Sequence, residues 1–236
     1  TEGLFAKQPC TAHQGGVEDL VFAPDGRWLA TCGPAVQVFE VATRRLLYQY
    51  NEPGVVWSAL AVSPDGTWLA VASGNGGPLL IWDTRAWGEP MPRHGHNATV
   101  KRLAFASHQA GLLASGAQDG TLLLTEVATG AQRSLHLPSS SVEDLAFALD
   151  GRWLAAAGHP SGVTNSKNIA IFSAPFTDSE PTQTLYTGGG TASRIAFSGG
   201  SLLVSGDDEG QIQTWDLTGS SAKPAHHFAA VWALQV

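Results

Sequence analysis

Charge is scarce in this chain: Asp, Glu, Lys and Arg together make up 14% of its 236 residues. The basic share is smaller still, 13 Lys and Arg against 20 Asp and Glu, which gives a net charge of −7. No Lys/Arg-rich stripe occurs, which argues against duplex nucleic acid or an anionic membrane as the main partner, since both need clustered basic charge. Cysteine is nearly absent too. Cys10 and Cys32 are the only two, too few for a disulfide framework, and both fall on predicted strands, which reads as buried free thiols. There is no run of 18 apolar residues and no signal-peptide pattern, so the chain shows no spanning or export segment. The sequon Asn97-Ala98-Thr99 would matter only in a secreted protein, and a cytoplasmic setting is the expectation.

Catalytic motifs are missing as well. The chain contains no His-Glu-x-x-His helix, no Gly-x-Ser-x-Gly elbow, no Cys-x-x-Cys pair and no Walker-type loop. Gly74-Asn75-Gly76-Gly77 and Gly188-Gly189-Gly190 lead into no helix that could face an anion. They read as turn glycines. No cofactor is implied.

What the chain does have is a repeated phrase. Residues 17–30 read VEDLVFAPDGRWLA and residues 142–155 read VEDLAFALDGRWLA, a match at 12 of 14 positions. Related segments start at Trp57, Val100 and Ala192, and a truncated one at Val231. The anchors Val17, Trp57, Val100, Val142, Ala192 and Val231 are 40, 43, 42, 50 and 39 residues apart, the length of one four-stranded propeller blade. Within the first unit, apolar runs of four to six residues alternate with Gly, Pro and Asp turns. This predicts strands at about 17–22, 27–32, 35–40 and 45–50. The 43% hydrophobic content and eight Trp residues suit sheets buried on both faces.

Ile81-Trp82-Asp83 and Thr214-Trp215-Asp216 end third strands, and Ser115-Gly116-Ala117-Gln118-Asp119-Gly120 precedes another. His13, His96 and His227 each sit four residues before an anchor, His96 within a Gly-His dipeptide. On these residues the chain resembles the WD-repeat β-propeller family, in a degenerate and partial form. The resemblance implies an all-β propeller of four-stranded antiparallel blades, about five complete plus parts of another. Blades are expected at about 14–53, 54–96, 97–138, 139–188 and 189–227. Segments 1–13 and 228–236 would be the last and first strands of a closing blade, making the chain a piece of a longer one whose open flank aggregates or dimerises.

The resemblance also implies a hydrogen-bonded tetrad of His, Ser or Thr, Asp and Trp within a blade. His13, His96, Ser115, Asp119, Ser205, Glu209, Trp215 and Trp82 occupy such positions. No unit holds all four: Thr125 stands where the third unit's Trp would be, and Gly188 where the fifth unit's His would be. The acidic run Asp207-Asp208-Glu209 reads as a solvated turn, with a calcium or basic-peptide site as the sharper alternative.

Units one and four match best, yet the fourth carries an insertion over 158–168 where the third has a four-residue turn. Loops on a rigid scaffold commonly carry binding. In a propeller this loop lies on the face where first strands begin. The expected partner-binding residues are therefore His159, Ser161, Asn165 and Lys167 of the loop, with Glu18, Asp19, Glu143, Asp144, Lys101 and Arg102 along the rim. A mostly acidic rim suits a protein or peptide bearing Arg and Lys. The expected function is a non-enzymatic protein- or peptide-binding scaffold or sensor, one domain of a larger signalling protein. The Arg excess over Lys, 9 against 4, favours a bacterial one. Two alternatives stay open: a metal-dependent hydrolase of lactonase type with carboxylates converging on the central channel, and a purely structural propeller completed by a neighbouring chain.

Overall fold

The computed structural model describes residue 13 and residues 15–109, 111–137, 139–160, 168–188 and 190–218. Among the described residues there are nineteen strands and no helix. The first sheet is a meander of β1 (Asp19–Phe22), β2 (Trp28–Cys32), β3 (Val36–Glu40) and β4 (Leu46–Tyr50). The second repeats it with β5 (Trp57–Val62), β6 (Trp68–Ser73), β7 (Leu79–Asp83) and β8 (Met91–Arg93). The third comprises β9 (Val100–Phe105), β10 (Leu112–Ala117), β11 (Leu122–Glu126) and β12 (Gln132–Leu135). In the fourth, β13 (Ser139–Phe147), β14 (Trp153–Pro160), β15 (Ile169–Ser173) and β16 (Gln183–Leu185) follow the same order. The fifth contains β17 (Ala192–Ser198), β18 (Leu202–Asp207) and β19 (Ile212–Asp216). The strands predicted at 17–22, 27–32, 35–40 and 45–50 correspond to β1 to β4. The parts expected at 1–13 and 228–236 lie outside the described residues, His13 excepted, as does Cys10; Cys32 is a buried free thiol.

All neighbouring strands within a sheet are antiparallel. First strands β1, β5, β9, β13 and β17 touch one another in succession, so they form the inner edge of a radial array and later strands face outward. The repeated Asp-Gly pair makes the hairpin at that inner edge. Gly26, Gly66 and Gly151 adopt φ of 69°, 72° and 72°, the left-handed conformation that favours glycine. In each case the preceding Asp accepts the backbone N–H two residues on: Asp25 from Arg27, Asp65 from Thr67 and Asp150 from Arg152, all at 3.0 Å.

Four apolar clusters fill the four seams between the five sheets. Strand periodicity assigns them. In β6, Leu69 and Val71 face the first sheet while Ala70 and Ala72 face the third. In β14, Leu154 and Ala156 face the third sheet while Ala155 and Ala157 face the fifth. Both faces being buried, the sequence reads as continuous apolar runs rather than an alternation. Each first strand after β1 sends an apolar pair onto the preceding sheet, such as Leu145 and Phe147 onto the third and Ile195 and Phe197 onto the fourth. Seams are close-packed at the rim: a Cβ on Gly116 would lie 2.3 Å from Val142 of the next sheet, so that position admits only glycine.

The insertion in the fourth unit differs from expectation at its start. Residues 158–160, expected as loop, belong to β14, where Ser141 pairs with His159 and Ser139 with Pro160. The first hairpin of this sheet is thus longer than its counterparts because three extra residues at the start of β13 give β14 something to pair with.

Candidate functional site

In an antiparallel meander the starts of first strands, ends of second strands and starts of third strands share one rim. Each first strand begins with a pair of side chains there: Glu18 and Asp19, Ser58 and Ala59, Lys101 and Arg102, Glu143 and Asp144, Ser193 and Arg194. Bulges in β5, β13 and β17 fall at this point and turn the pair toward the next sheet.

The two copies of the repeated phrase use their Asp identically. Asp19 Oδ1 accepts the N–H of Leu20 at 2.9 Å, and its Oδ2 accepts the N–H of Leu60 in the second sheet at 2.8 Å. Asp144 Oδ1 accepts from Leu145 at 3.1 Å, and Oδ2 from Ile195 in the fifth sheet at 2.9 Å. Leu60 and Ile195 are equivalent positions one sheet further on. The carboxylate therefore clasps adjacent sheets through a backbone donor.

Between the third and fourth sheets the same positions carry ion pairs. Lys101 Nζ lies 2.6 Å from Glu143 Oε1, and Arg102 Nε lies 3.3 Å from Asp144 Oδ1. Burial opposes the Glu143 carboxylate, but Lys101 and the Ser141 hydroxyl outweigh it and hold its pKa low. For Asp144 burial wins, and its pKa is raised despite the Ile195 N–H and the charges of Arg102 and Arg194. Ser58, at the equivalent of Glu143, donates to the Val100 carbonyl of the third sheet at 2.8 Å. The acidic rim read from the sequence is thus narrower than expected. Asp19, Glu143 and Asp144 engage partners inside the frame, whereas Glu18 is exposed. His159 is exposed near Glu143. Ser161, Asn165 and Lys167 lie outside the described residues. Arg194 was not among the expected residues, although its register with Arg102 would have found it.

The expected tetrads are present as pieces. His96 Nε2 is 2.7 Å from Ser115 Oγ, and its Nδ1 is 2.8 Å from Thr121 Oγ1. Thr121 donates to Asp119 at 2.7 Å, so the histidine reaches the aspartate through a threonine that sequence reading missed. Burial lowers the His96 pKa, partly countered by Asp119. Thr125, in the Trp position, accepts from Gln132 at 3.3 Å. In the fifth sheet Trp215 donates to Ser205 at 2.9 Å, while Glu209 is exposed. His13 lies 2.9 Å from Thr31 Oγ1. Trp82 donates instead to the Tyr48 hydroxyl of the first sheet at 3.1 Å, within an aromatic cluster of Trp28, Trp87, Tyr48, Tyr50 and Trp57. His227 lies outside the described residues. These networks tie strands together. Among the described residues, no three His, Cys, Asp or Glu side chains come together in a metal-holding group.

Comparison with known proteins agrees with this geometry. The profile of the WD domain, G-beta repeat matches residues 6–34 and 45–83. The chain is 27% identical over 175 residues to a WD repeat-containing protein of Schistosoma mansoni, covering 73% of this chain and 54% of that protein. It is 30% identical over 202 residues to apoptotic protease-activating factor 1 of Rattus norvegicus, covering 79% of this chain and 15% of that protein. It therefore spans about half of the first and a small part of the second. Among solved structures, a chain in a crystal structure of the mitotic checkpoint complex superposes with a TM-score of 0.71 at 21% identity, covering 94% of this chain and 72% of that one, which shows the fold.

Proposed function

Since the chain belongs to the WD-repeat family of β-propellers, we propose that it is a non-enzymatic scaffold that binds a protein or peptide on the rim where its first strands begin. The observation that carries this reading is the fourth sheet. Its longer first hairpin carries His159 beside the Lys101–Glu143 pair, on a frame whose sheets are clasped to one another. A rigid base with one raised edge suits recognition by a few anchoring contacts. The small share of apoptotic protease-activating factor 1 that the chain matches supports a domain within a longer polypeptide, and a cytoplasmic bacterial signalling protein is the setting we favour. Peptide selection by display against the chain tests it. Selected peptides should carry Arg or Lys and lose at least tenfold in affinity on Glu18→Lys or His159→Ala. Peptides that bind both variants unchanged would remove the rim from consideration.

The structural alternative also has an observation in its favour. Leu20 and Phe22 are each 55% exposed on the outer flank of the first sheet. Crosslinks that map to that flank rather than to the rim would favour assembly over peptide recognition.

A further inference from the structure

The glycine-rich turn 74–77 holds the chain's single Asn-Gly pair, Asn75-Gly76. It joins β6 to β7 on the rim where first strands begin, and the function proposed above makes no use of it. The turn demands glycine at 76 twice over. Gly76 adopts φ of 73°, and a Cβ there would lie 2.6 Å from the Asn97 carbonyl carbon on the approach to β9, so no other residue fits. The fold therefore keeps an asparagine in front of a residue with no side chain to shield its backbone nitrogen.

Neither reacting group of that pair is firmly held. Asn75 is exposed. Its side chain makes one hydrogen bond among the described residues, from Nδ2 to the Gly54 carbonyl at 3.4 Å, which is longer than the usual range for such a bond. The Asn75 N–H donates to Ser73 Oγ at 3.2 Å, and the Gly74 N–H to the Val56 carbonyl at 2.7 Å. The Gly76 N–H has no acceptor among the described residues, and an unpaired backbone N–H persists where water reaches it. The other described asparagines lack this combination. Asn51 and Asn97 are exposed but precede Glu52 and Ala98, whose side chains crowd the nitrogen, and Asn168 is buried before Ile169.

We propose that Asn75 is a site of spontaneous deamidation, converted through a ring with Gly76 to a mixture of isoaspartate and aspartate. The Gly76 nitrogen loses its proton to solvent and attacks Asn75 Cγ. The new N–Cγ bond closes a five-membered succinimide, the Cγ–Nδ2 bond breaks, and Nδ2 leaves as ammonia. Because the attack is intramolecular, no entropy is lost in bringing two reactants together. Water then opens the ring. Cleavage of the N–Cγ bond gives aspartate, and cleavage between the nitrogen and the main-chain carbonyl carbon of residue 75 gives isoaspartate, whose chain runs on through Cγ. The sum is one amide and one water giving one carboxylate and one ammonium ion, with nothing oxidised or reduced. Both products add a negative charge to a chain of net charge −7 and lose the Nδ2–Gly54 bond. Isoaspartate also lengthens the turn by one backbone carbon, where Gly76 lies against the Asn97–Ala98 peptide and Thr99 Oγ1 donates to the Gly74 carbonyl. The rim between the second and third sheets is thereby altered as the chain ages, with no enzyme involved.

Parallel incubation of the folded chain and of the chain held unfolded in guanidinium chloride, both in warm and mildly alkaline buffer, tests the site. Peptides spanning Asn75 are read by mass, and isoaspartate by its enzymatic carboxyl methylation. Deamidation at Asn75 should proceed in the folded chain within about threefold of its rate in the unfolded one, as expected of a turn with little protection. It should slow at mildly acidic pH, where the nitrogen keeps its proton, while Asn51 and Asn97 stay amides over the same period. Aged chains should form a more acidic fraction on anion exchange, and Asn75→Gln, whose larger ring is slow to close, should lose most of that fraction. An Asn75 that stays intact in the folded chain, or reacts only once unfolded, overturns the proposal. So does conversion of Asn97 at the same rate, an acidic fraction undiminished in Asn75→Gln, or a product that is aspartate alone, which would mean direct hydrolysis.

Discussion

At the scale of single residues, the repeated phrase is explained by its aspartate. Asp19 and Asp144 each accept one N–H of their own strand and one from the next sheet. A backbone donor buried at such a seam has no water to turn to, so removing its acceptor costs about 1–3 kcal/mol. Asp144→Ala should therefore destabilise the chain by that amount in urea unfolding. Asp144→Asn should cost less, because an amide oxygen still accepts from Ile195 in the next sheet while the Leu145 N–H and Arg102 lose their acceptor. Glu18→Ala should change stability by no more than about 0.5 kcal/mol, as expected for an exposed side chain. Equal costs for the three variants would mean that the clasp does not bear on stability. Register places Asp19 and Asp144 at equivalent positions of their first strands, but sequence reading could not see this use. Their partners lie 41 and 51 residues away and are backbone N–H groups, which every residue has and no motif records. Arg194 was legible, since it occupies the register position of Arg102.

At the scale of elements, strands and turns were open to sequence reading, because short apolar runs and the Asp-Gly pair that bounds them are local signals. The partners of polar side chains within each sheet were not. Trp82 has the position of a tetrad tryptophan, yet its N–H goes to Tyr48 because Val71 occupies the second-strand place of Ser115, leaving no hydroxyl there. In the third sheet the network survives without tryptophan: Ser115, His96, Thr121 and Asp119 link the end of β10, the turn after it and the approach to β9. Its histidine gives the sheet a pH dependence with a definite sign. Burial lowers the His96 pKa from 6.5, so the unfolded chain binds the proton more readily. Stability is then full above pH about 6.5 and falls as the pH drops below it, until the folded histidine is itself protonated. His13, also lowered by burial, adds in the same direction. Melting temperatures between pH 7.5 and 5 should fall less steeply for His96→Gln than for the parent chain. A parallel pair of curves would mean that this histidine's titration contributes nothing.

At the scale of the whole molecule, the five sheets differ in what covers them. Phe105, Phe147 and Phe197 occupy one position of the repeat and are 8%, 8% and 7% exposed, each against the preceding sheet, whereas Phe22 at that position is 55% exposed. Leu20 beside it is also 55% exposed, while Leu60, Leu145 and Ile195 range from 4% to 8%. The first sheet therefore presents the face by which every later sheet is held. Phe147→Ala should cost about 3–5 kcal/mol, the usual loss for a buried phenylalanine, whereas Phe22→Ala should cost far less within one copy of the chain. The same flank should make two copies associate, since a contiguous apolar face in water is stabilised by burial against another. Sedimentation at increasing concentration should show dimers or larger species, and the double variant Leu20→Ser, Phe22→Ser should shift the population toward monomer without lowering the melting temperature of that monomer. If the parent chain sediments as a monomer and Phe22→Ala costs as much as Phe147→Ala, the flank is covered within the chain, and assembly through it is excluded.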